Sequence, residues 1–228
     1  MCGIAGFTAG NQQIAAFPLI ERMCKRIEHR GPDAFGHFVS DRVALGHQRL
    51  SIIDVGGGGQ PIGNEDGSLQ VVFNGEICNF LELRDGLEKK GHRFRTASDT
   101  EVLVHLYEEV GVRMPEYLNG MFAFAIWDLR KRELFLARDR YGKKPLYYSL
   151  AQPGFPIAFA SELKALTVLP GFGAEVNRES VAQFLAFGYV IQPRSIYRGV
   201  EQLPPRPQPA VARSARGGHA AALLVATV

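Results

Sequence analysis

Residues 121–137 read MFAFAIWDLRKRELFLA. Met121–Asp128 and Glu133–Ala137 are runs rich in aromatic and aliphatic residues, the composition of β-strands. The charged Leu129–Arg132 segment between them is the expected hairpin turn. Leu146–Ser149 and Ile157–Ala160 extend the β pattern downstream; Gly3–Phe7, Val43–Ile53 and Leu69–Phe73 supply it upstream. Helical spacing lies on both sides of the hairpin. Leu19, Ile20, Met23 and Ile27 predict a helix over roughly 17–29. Phe80, Leu83 and Leu87 predict a second, stopping near Gly91. Val102, Leu103, Leu106 and Tyr107 mark a third, with Asp99 or Thr100 as its cap. Two more are expected at 162–167 and 178–186. Short turns between strands favour antiparallel pairing. The expectation is an α+β domain of two stacked antiparallel sheets with helices outside. No internal repeat is present.

The chain has 228 residues, 46% of them apolar and 21% charged. That is enough for a large core without disulfides or metals. Three cysteines, Cys2, Cys24 and Cys78, make no disulfide framework and fit a reducing compartment. The formal charge of +3 is matched by three arginines, Arg206, Arg213 and Arg216, in the acid-free 206–228 segment. Residues 1–205 are therefore electroneutral, and no nucleic-acid partner is expected, since phosphate binding needs a basic face. No targeting signal, lipidation motif or membrane-length apolar run is evident, so the expectation is a cytoplasmic protein without membrane contact.

The six histidines are scattered, and no HExxH, CxxC, GxSxG, Walker or GxGxxG pattern occurs. Gly56–Gly59 precedes neither a Lys-Ser/Thr pair nor a helix and reads as a loop. Neither a metal nor a cofactor is expected. Cys2 carries the chemistry. Removal of Met1 would place the cysteine's own α-amine, with a pKa of about 7.7–8.0, beside a thiol of about 8.5. That amine can act as the base for thiolate attack on an acyl group. Gly3 lets the backbone bend beside a substrate. Asn74-Gly75, in VVFNGE, offers a side-chain amide and a glycine N–H to an oxyanion; the same dipeptide is also a strong type I′ turn signal. Arg49, between apolar neighbours in GHQRLSII, offers a fork for a carboxylate. Asp99 offers a partner for an ammonium, or a helix cap.

MCGIAGF at the start, HRGPD (His29–Asp33), GHQRLSIID (Gly46–Asp54) and FNGEICNF (Phe73–Phe80) together resemble class II glutamine amidotransferases. RTASDTEV (Arg95–Val102), NGMFAFAIWD (Asn119–Asp128), RDRYGKKPLYY (Arg138–Tyr148) and ASELKAL (Ala160–Leu166) sharpen this toward the glutaminase half of glutamine-hydrolysing asparagine synthetases. The match runs in order over about residues 2–205. It implies an N-terminal-nucleophile hydrolase fold, a four-layer sandwich, in one domain of residues 1–205 with a core of about 2–190. It implies that Cys2 attacks the glutamine side-chain amide, releasing ammonia and then glutamate. Asn74 and Gly75 would form the oxyanion hole. Arg49 would hold the glutamine carboxylate, Asp99 and Glu76 would face its ammonium, and the Ile52 and Ile53 backbone would line the pocket. Cys78 stands where the family usually has Tyr. The family's ATP-dependent synthetase domain, with its SGGxDS loop and its ATP and magnesium, has no counterpart here. Residues 206–228 therefore read as a disordered or out-of-frame tail. Ammonia, which relatives pass through a tunnel, would go to solvent or to a partner, a separate synthetase chain or a second copy. Two other readings stay open: a non-catalytic glutamine-binding or regulatory remnant, and an amidotransferase serving another acceptor.

Overall fold

The computed structural model describes residues 1–9, 15–54, 56–204, 210–212 and 222–227, the last two segments by their backbone alone. The 121–137 stretch is the predicted hairpin. Strand β6 (Gly120–Asp128) and β7 (Glu133–Arg138) pair antiparallel, with Asp128 opposite Glu133. Their side chains alternate between two cores. Phe122, Phe124 and Ile126 pack with Val102, Leu103 and Leu106 of α3 (Glu101–Val110). Ala123, Ala125 and Trp127 point the other way and meet Ile4, Leu45 and Phe159 of a second sheet. A strand buried on both faces reads as continuously apolar, which is why MFAFAIWD lacks a polar alternate.

The second sheet holds β1 (Gly3–Thr8) between β3 (Val43–Arg49) and β9 (Phe155–Ala160). Its full order is β10-β8-β9-β1-β3-β2, with β2 at Ala34–Val39, β8 at Tyr147–Gln152 and β10 at Val200–Gln202. The sheet that contains the hairpin runs β11-β12-β7-β6-β5-β4, with β4 at Ile62–Gly63, β5 at Leu69–Ile77, β11 at Ala210–Ala212 and β12 at Ala222–Thr227. All pairings are antiparallel except β12 on β7. Helix α1 (Ala16–Arg26) buries Leu19, Ile20, Met23 and Cys24 against Ala5, Phe7 and Ala44, beside Ala165 and Leu166 of α4 (Leu163–Leu166). On the opposite side, Leu87 of α2 (Phe80–Lys89) joins α3 against the other sheet. Three cores separate four layers, helix–sheet–sheet–helix, and the α+β expectation holds. Helix α5 (Arg178–Phe187) ends at Gly188, whose φ of 78° is the left-handed C-cap geometry.

Several local expectations are corrected. The first helix stops at Arg26 and continues as a short 3₁₀ turn, Glu28–Arg30, because Gly31-Pro32 ends helical geometry. Strand β3 ends at Arg49, so residues 50–53 are a loop. Asn74-Gly75 is not a hairpin turn. β5 runs straight through it, with Asn74 opposite Ala123 and Gly75 opposite Phe122. A Cβ on Gly75 would lie 2.3 Å from the Met121 carbonyl oxygen, so this glycine permits close strand approach. Neither Asp99 nor Thr100 caps α3 through its side chain. β2, β4 and β10 were not anticipated. The expected disorder or frame change of residues 206–228 lies mostly outside the described residues. Among those described, no helix is long and apolar enough to cross a membrane.

Candidate active site

The fold gathers Cys2, Arg49, Ile52, Ile53, Gly75 and Asp99 around one solvent-open cleft with about 350 Å³ of empty space. Residues spread over nearly a hundred positions meet because the start of β1 lies beside the end of β3, with β5 of the facing sheet against both.

Cys2 sits just before β1. The Leu50 N–H points at its Sγ at 3.4 Å, and Sγ lies 3.6 Å from the Leu50 carbonyl oxygen. Arg30 fixes the backbone at this position: its Nε donates to the Cys2 carbonyl at 3.0 Å, while Nη1 donates to Glu162 at 2.9 Å. Burial opposes ionisation of Glu162, but Arg30, Lys164 and His29 together hold its carboxyl below the usual range. The 3₁₀ turn that carries Arg30 is docked on β3. A Cβ on Gly31 would lie 2.4 Å from the Gln48 carbonyl oxygen, and Asp33 accepts from the Ser51 N–H at 2.8 Å. HRGPD thus works as scaffold that places both the Cys2 segment and the loop after Arg49.

That loop folds over the cleft. Arg49 Nη2 donates to the carbonyls of Ile53 and Asp54 at 3.3 and 2.5 Å. The Asp54 carboxylate accepts from Gly57 and Ala97, tying Asp54 and Gly57 to the segment before Asp99. Ile52 is 72% exposed at the rim. The four-glycine run is a loop, as expected. It is followed by a cis Gln60–Pro61 bond and the short β4, not by a helix N-terminus that could face a phosphate.

Beyond β4, the edge of β5 faces the cleft with its N–H groups. Gln60 Oε1 accepts from Phe73 N–H at 2.7 Å, and Asp99 Oδ2 accepts from Ile77 N–H at 2.9 Å. Phe122, opposite Gly75, spends its own N–H and carbonyl on Asp139. Gly75–Phe122 is therefore a pair without mutual hydrogen bonds, and the Gly75 N–H points outward between Phe73 and Ile77. Asn74 shares a face with Val72 and Ala123 of the inter-sheet core. Its side chain is fully buried, and neither amide atom has a hydrogen-bond partner among the described residues. Asp99 is 4% exposed. Burial raises its pKa and the nearby Glu76 charge adds to this, against the Ile77 and Ser98 donors. Glu76 itself is exposed beside the cleft and does not line it. Cys78 is likewise exposed.

Two features of the site lay outside the sequence reading. One is the Arg30–Glu162 clamp. The other is His47, fully buried on β3 with neither ring nitrogen in a hydrogen bond among the described residues. Burial pushes its pKa down to about 3, opposed by the Phe73 backbone and aided by the Arg49 charge. A histidine inside an apolar strand was the available signal.

Residues 1–218 match the family model described as the glutamine amidotransferase domain. Asparagine synthetase [glutamine-hydrolyzing] 1 of Bacillus subtilis (strain 168) is 41% identical over 216 residues, covering 91% of this chain and 33% of that protein. Asparagine synthetase [glutamine-hydrolyzing] 3 of Arabidopsis thaliana is 44% identical over 169 residues, 73% of this chain and 28% of that protein. The chain thus spans about a third or less of the length of these curated relatives. Among solved structures, the glutamine phosphoribosylpyrophosphate amidotransferase from B. subtilis superimposes with a TM-score of 0.61 at 25% identity, covering 77% of this chain and 45% of that one. A cysteine beside the N-terminus at the mouth of a two-sheet cleft, and a family match over nearly the whole chain, agree: the chain belongs to the glutamine amidotransferase domain family.

Proposed function

We propose that this chain hydrolyses glutamine to glutamate and ammonia, with Cys2 as nucleophile once the preceding Met1 is removed. The observation that carries this reading is Gly75, its N–H directed outward at the cleft that Cys2 lines, with the Asn74 amide next to it buried and unpartnered among the described residues. A backbone N–H and a side-chain amide from adjacent residues are the donor types that a developing oxyanion requires.

The freed α-amine of Cys2 takes the thiol proton, and the thiolate attacks the side-chain amide carbon of glutamine. The oxyanion that forms accepts from the Asn74 amide and the Gly75 N–H. Protonation of the amide nitrogen expels ammonia and leaves a γ-glutamyl thioester. Water, deprotonated by the same amine, then releases glutamate and restores the thiol. Arg49 pairs with the substrate carboxylate while its loop contacts shape the pocket. Asp99, with Glu76 nearby, receives the ammonium, and the Ile52 and Ile53 backbone closes the side.

No cofactor enters this half-reaction. In the reading toward asparagine synthesis, the ammonia would go to an ATP- and magnesium-dependent synthetase unit, as a further domain, a separate chain or a second copy. The residues described here do not fit a nucleotide: the only glycine-rich loop leads into a strand, and its Gly57 N–H is already taken by Asp54.

The test is glutamate release from glutamine by the wild-type chain and Cys2→Ala, with intact-mass analysis to establish the first residue. Release that disappears in Cys2→Ala is expected; equal rates would remove Cys2 from the mechanism.

A further inference from the structure

Away from the cleft, two histidines scattered in the sequence are brought face to face. His92 lies in the segment after α2 and His105 on α3, with ring centroids 4.9 Å apart. Glu65, from the β4–β5 turn, and Glu108, from α3, complete the group. One donor atom from each of the four lies within 4.8 Å of the others. His92 Nδ1 is 3.6 Å from Glu65 Oε1 and 3.5 Å from Glu108 Oε2. His105 Nδ1 is 3.3 Å from Glu65 Oε2 and 3.3 Å from Glu108 Oε2.

These separations have a geometric meaning. All four exceed the 2.7–3.2 Å typical of a direct N–H···O bond. A tetrahedron built on zinc bonds of about 2.0–2.2 Å has edges of about 3.3–3.6 Å, which matches these four nitrogen–oxygen spacings. The outer nitrogen of His92, Nε2, lies 3.1 Å from Glu109 Oε1, which fixes that nitrogen as the N–H. In the neutral ring Nδ1 is then a lone pair facing two carboxylates, the form in which it can bind a cation placed between them. On His105 a carboxylate also stands behind the ring, Glu101 Oε1 at 3.7 Å from Nε2, a distance too long for a hydrogen bond. A carboxylate behind each ligating imidazole is the outer-shell arrangement that orients metal-bound histidines. The carboxylates are themselves held: Asn64 donates to Glu108 at 2.8 Å, and the Arg93 N–H to Glu65 at 2.9 Å.

We propose that Glu65, His92, His105 and Glu108 form a closed tetrahedral site for a divalent transition-metal ion, zinc being the best fit. Two imidazoles select against magnesium and calcium, and two carboxylates neutralise the ion's charge. Four protein ligands leave no open position, so the ion is a brace, not a reagent. It would join the β4–β5 turn, the segment after α2 and α3. Through Glu101, which accepts from the Arg95 and Thr96 N–H groups, it would also steady the segment that leads to Asp99. The proposal does not depend on the amidotransferase reading.

The test is titration of the metal-stripped full chain with Co²⁺ and then Zn²⁺. One equivalent of Co²⁺ is expected, with the intense visible bands of a tetrahedral site, no thiolate charge-transfer band, and displacement by Zn²⁺. His92→Asn and Glu65→Gln, both at partly exposed positions, should weaken binding at least about 100-fold with unchanged circular dichroism, and Glu109→Gln about 10-fold. Absence of stoichiometric binding, equal affinity in these variants, or a thiolate band would overturn the site.

Discussion

An amide that is fully buried and makes no hydrogen bond costs a protein about 1–3 kcal/mol, and among the described residues Asn74 has no partner. Its replacement by an apolar residue of similar size separates stability from activity. Asn74→Leu should match or exceed the parent in urea-unfolding midpoint while kcat for glutamine hydrolysis falls by about 10²–10³. A loss of stability instead would mean the amide has a structural partner. Asp99 allows a second separation. Its raised pKa means that acidification removes its charge earlier than for an ordinary carboxylate. KM for glutamine should therefore rise on the acid side, and Asp99→Asn should raise KM strongly at neutral pH and abolish that acid limb. At this scale the sequence was informative for residues whose type is itself unusual, such as a cysteine at position 2 or an arginine in an apolar strand. It was silent on Arg30 and Glu162, because nothing local marks a contact between positions 132 residues apart. It also left Asp99 undecided between cap and ligand, which only the Ile77 N–H on its carboxylate resolves against the cap.

Strands β5 and β6 carry the largest misreading at the level of elements. Asn-Gly is a turn signal by backbone preference, yet here the pairing with Met121–Ala123 overrides it. The glycine answers to crowding from the neighbouring strand. Gly75→Ala should lower stability by about 1–3 kcal/mol, read as a shifted urea midpoint, because β6 backbone atoms stand where the methyl would go. Hydrophobic runs and helical spacing located most elements, since burial of one or both faces is written in composition. Edge strands such as Ala34–Val39, half exposed and mixed in character, leave no such mark.

The four-layer arrangement followed from two-sided strands and flanking amphipathic helices, but the depth at which single polar residues sit did not. His47 shows what that depth does to the whole molecule. Unfolded, its imidazole protonates near pH 6.5 as any histidine does; folded, only near about 3. Between those values the unfolded chain binds the extra proton, so stability falls as pH falls, by about 1.4 kcal/mol per unit for this one group. The only tryptophan, Trp127, lies buried between the sheets and reports global unfolding. Its fluorescence should show an unfolding midpoint that drops from pH 6.5 to 5 in the parent and drops less in His47→Leu. Parallel slopes in the two proteins would remove His47 as the cause.

β1 lies in the middle of its sheet, and one of its neighbours is β9, about 150 residues further along the chain. Synthesis passes β1 and β3 well before β9, so β1 is flanked on both sides only once residues 157–160 exist. Until residues 155–162 have been synthesised, neither the strand partner nor the carboxylate that clamps Arg30 exists. Removal of a residue ahead of Cys2 before that point would act on a chain end whose β9 neighbour and Arg30–Glu162 clamp do not yet exist.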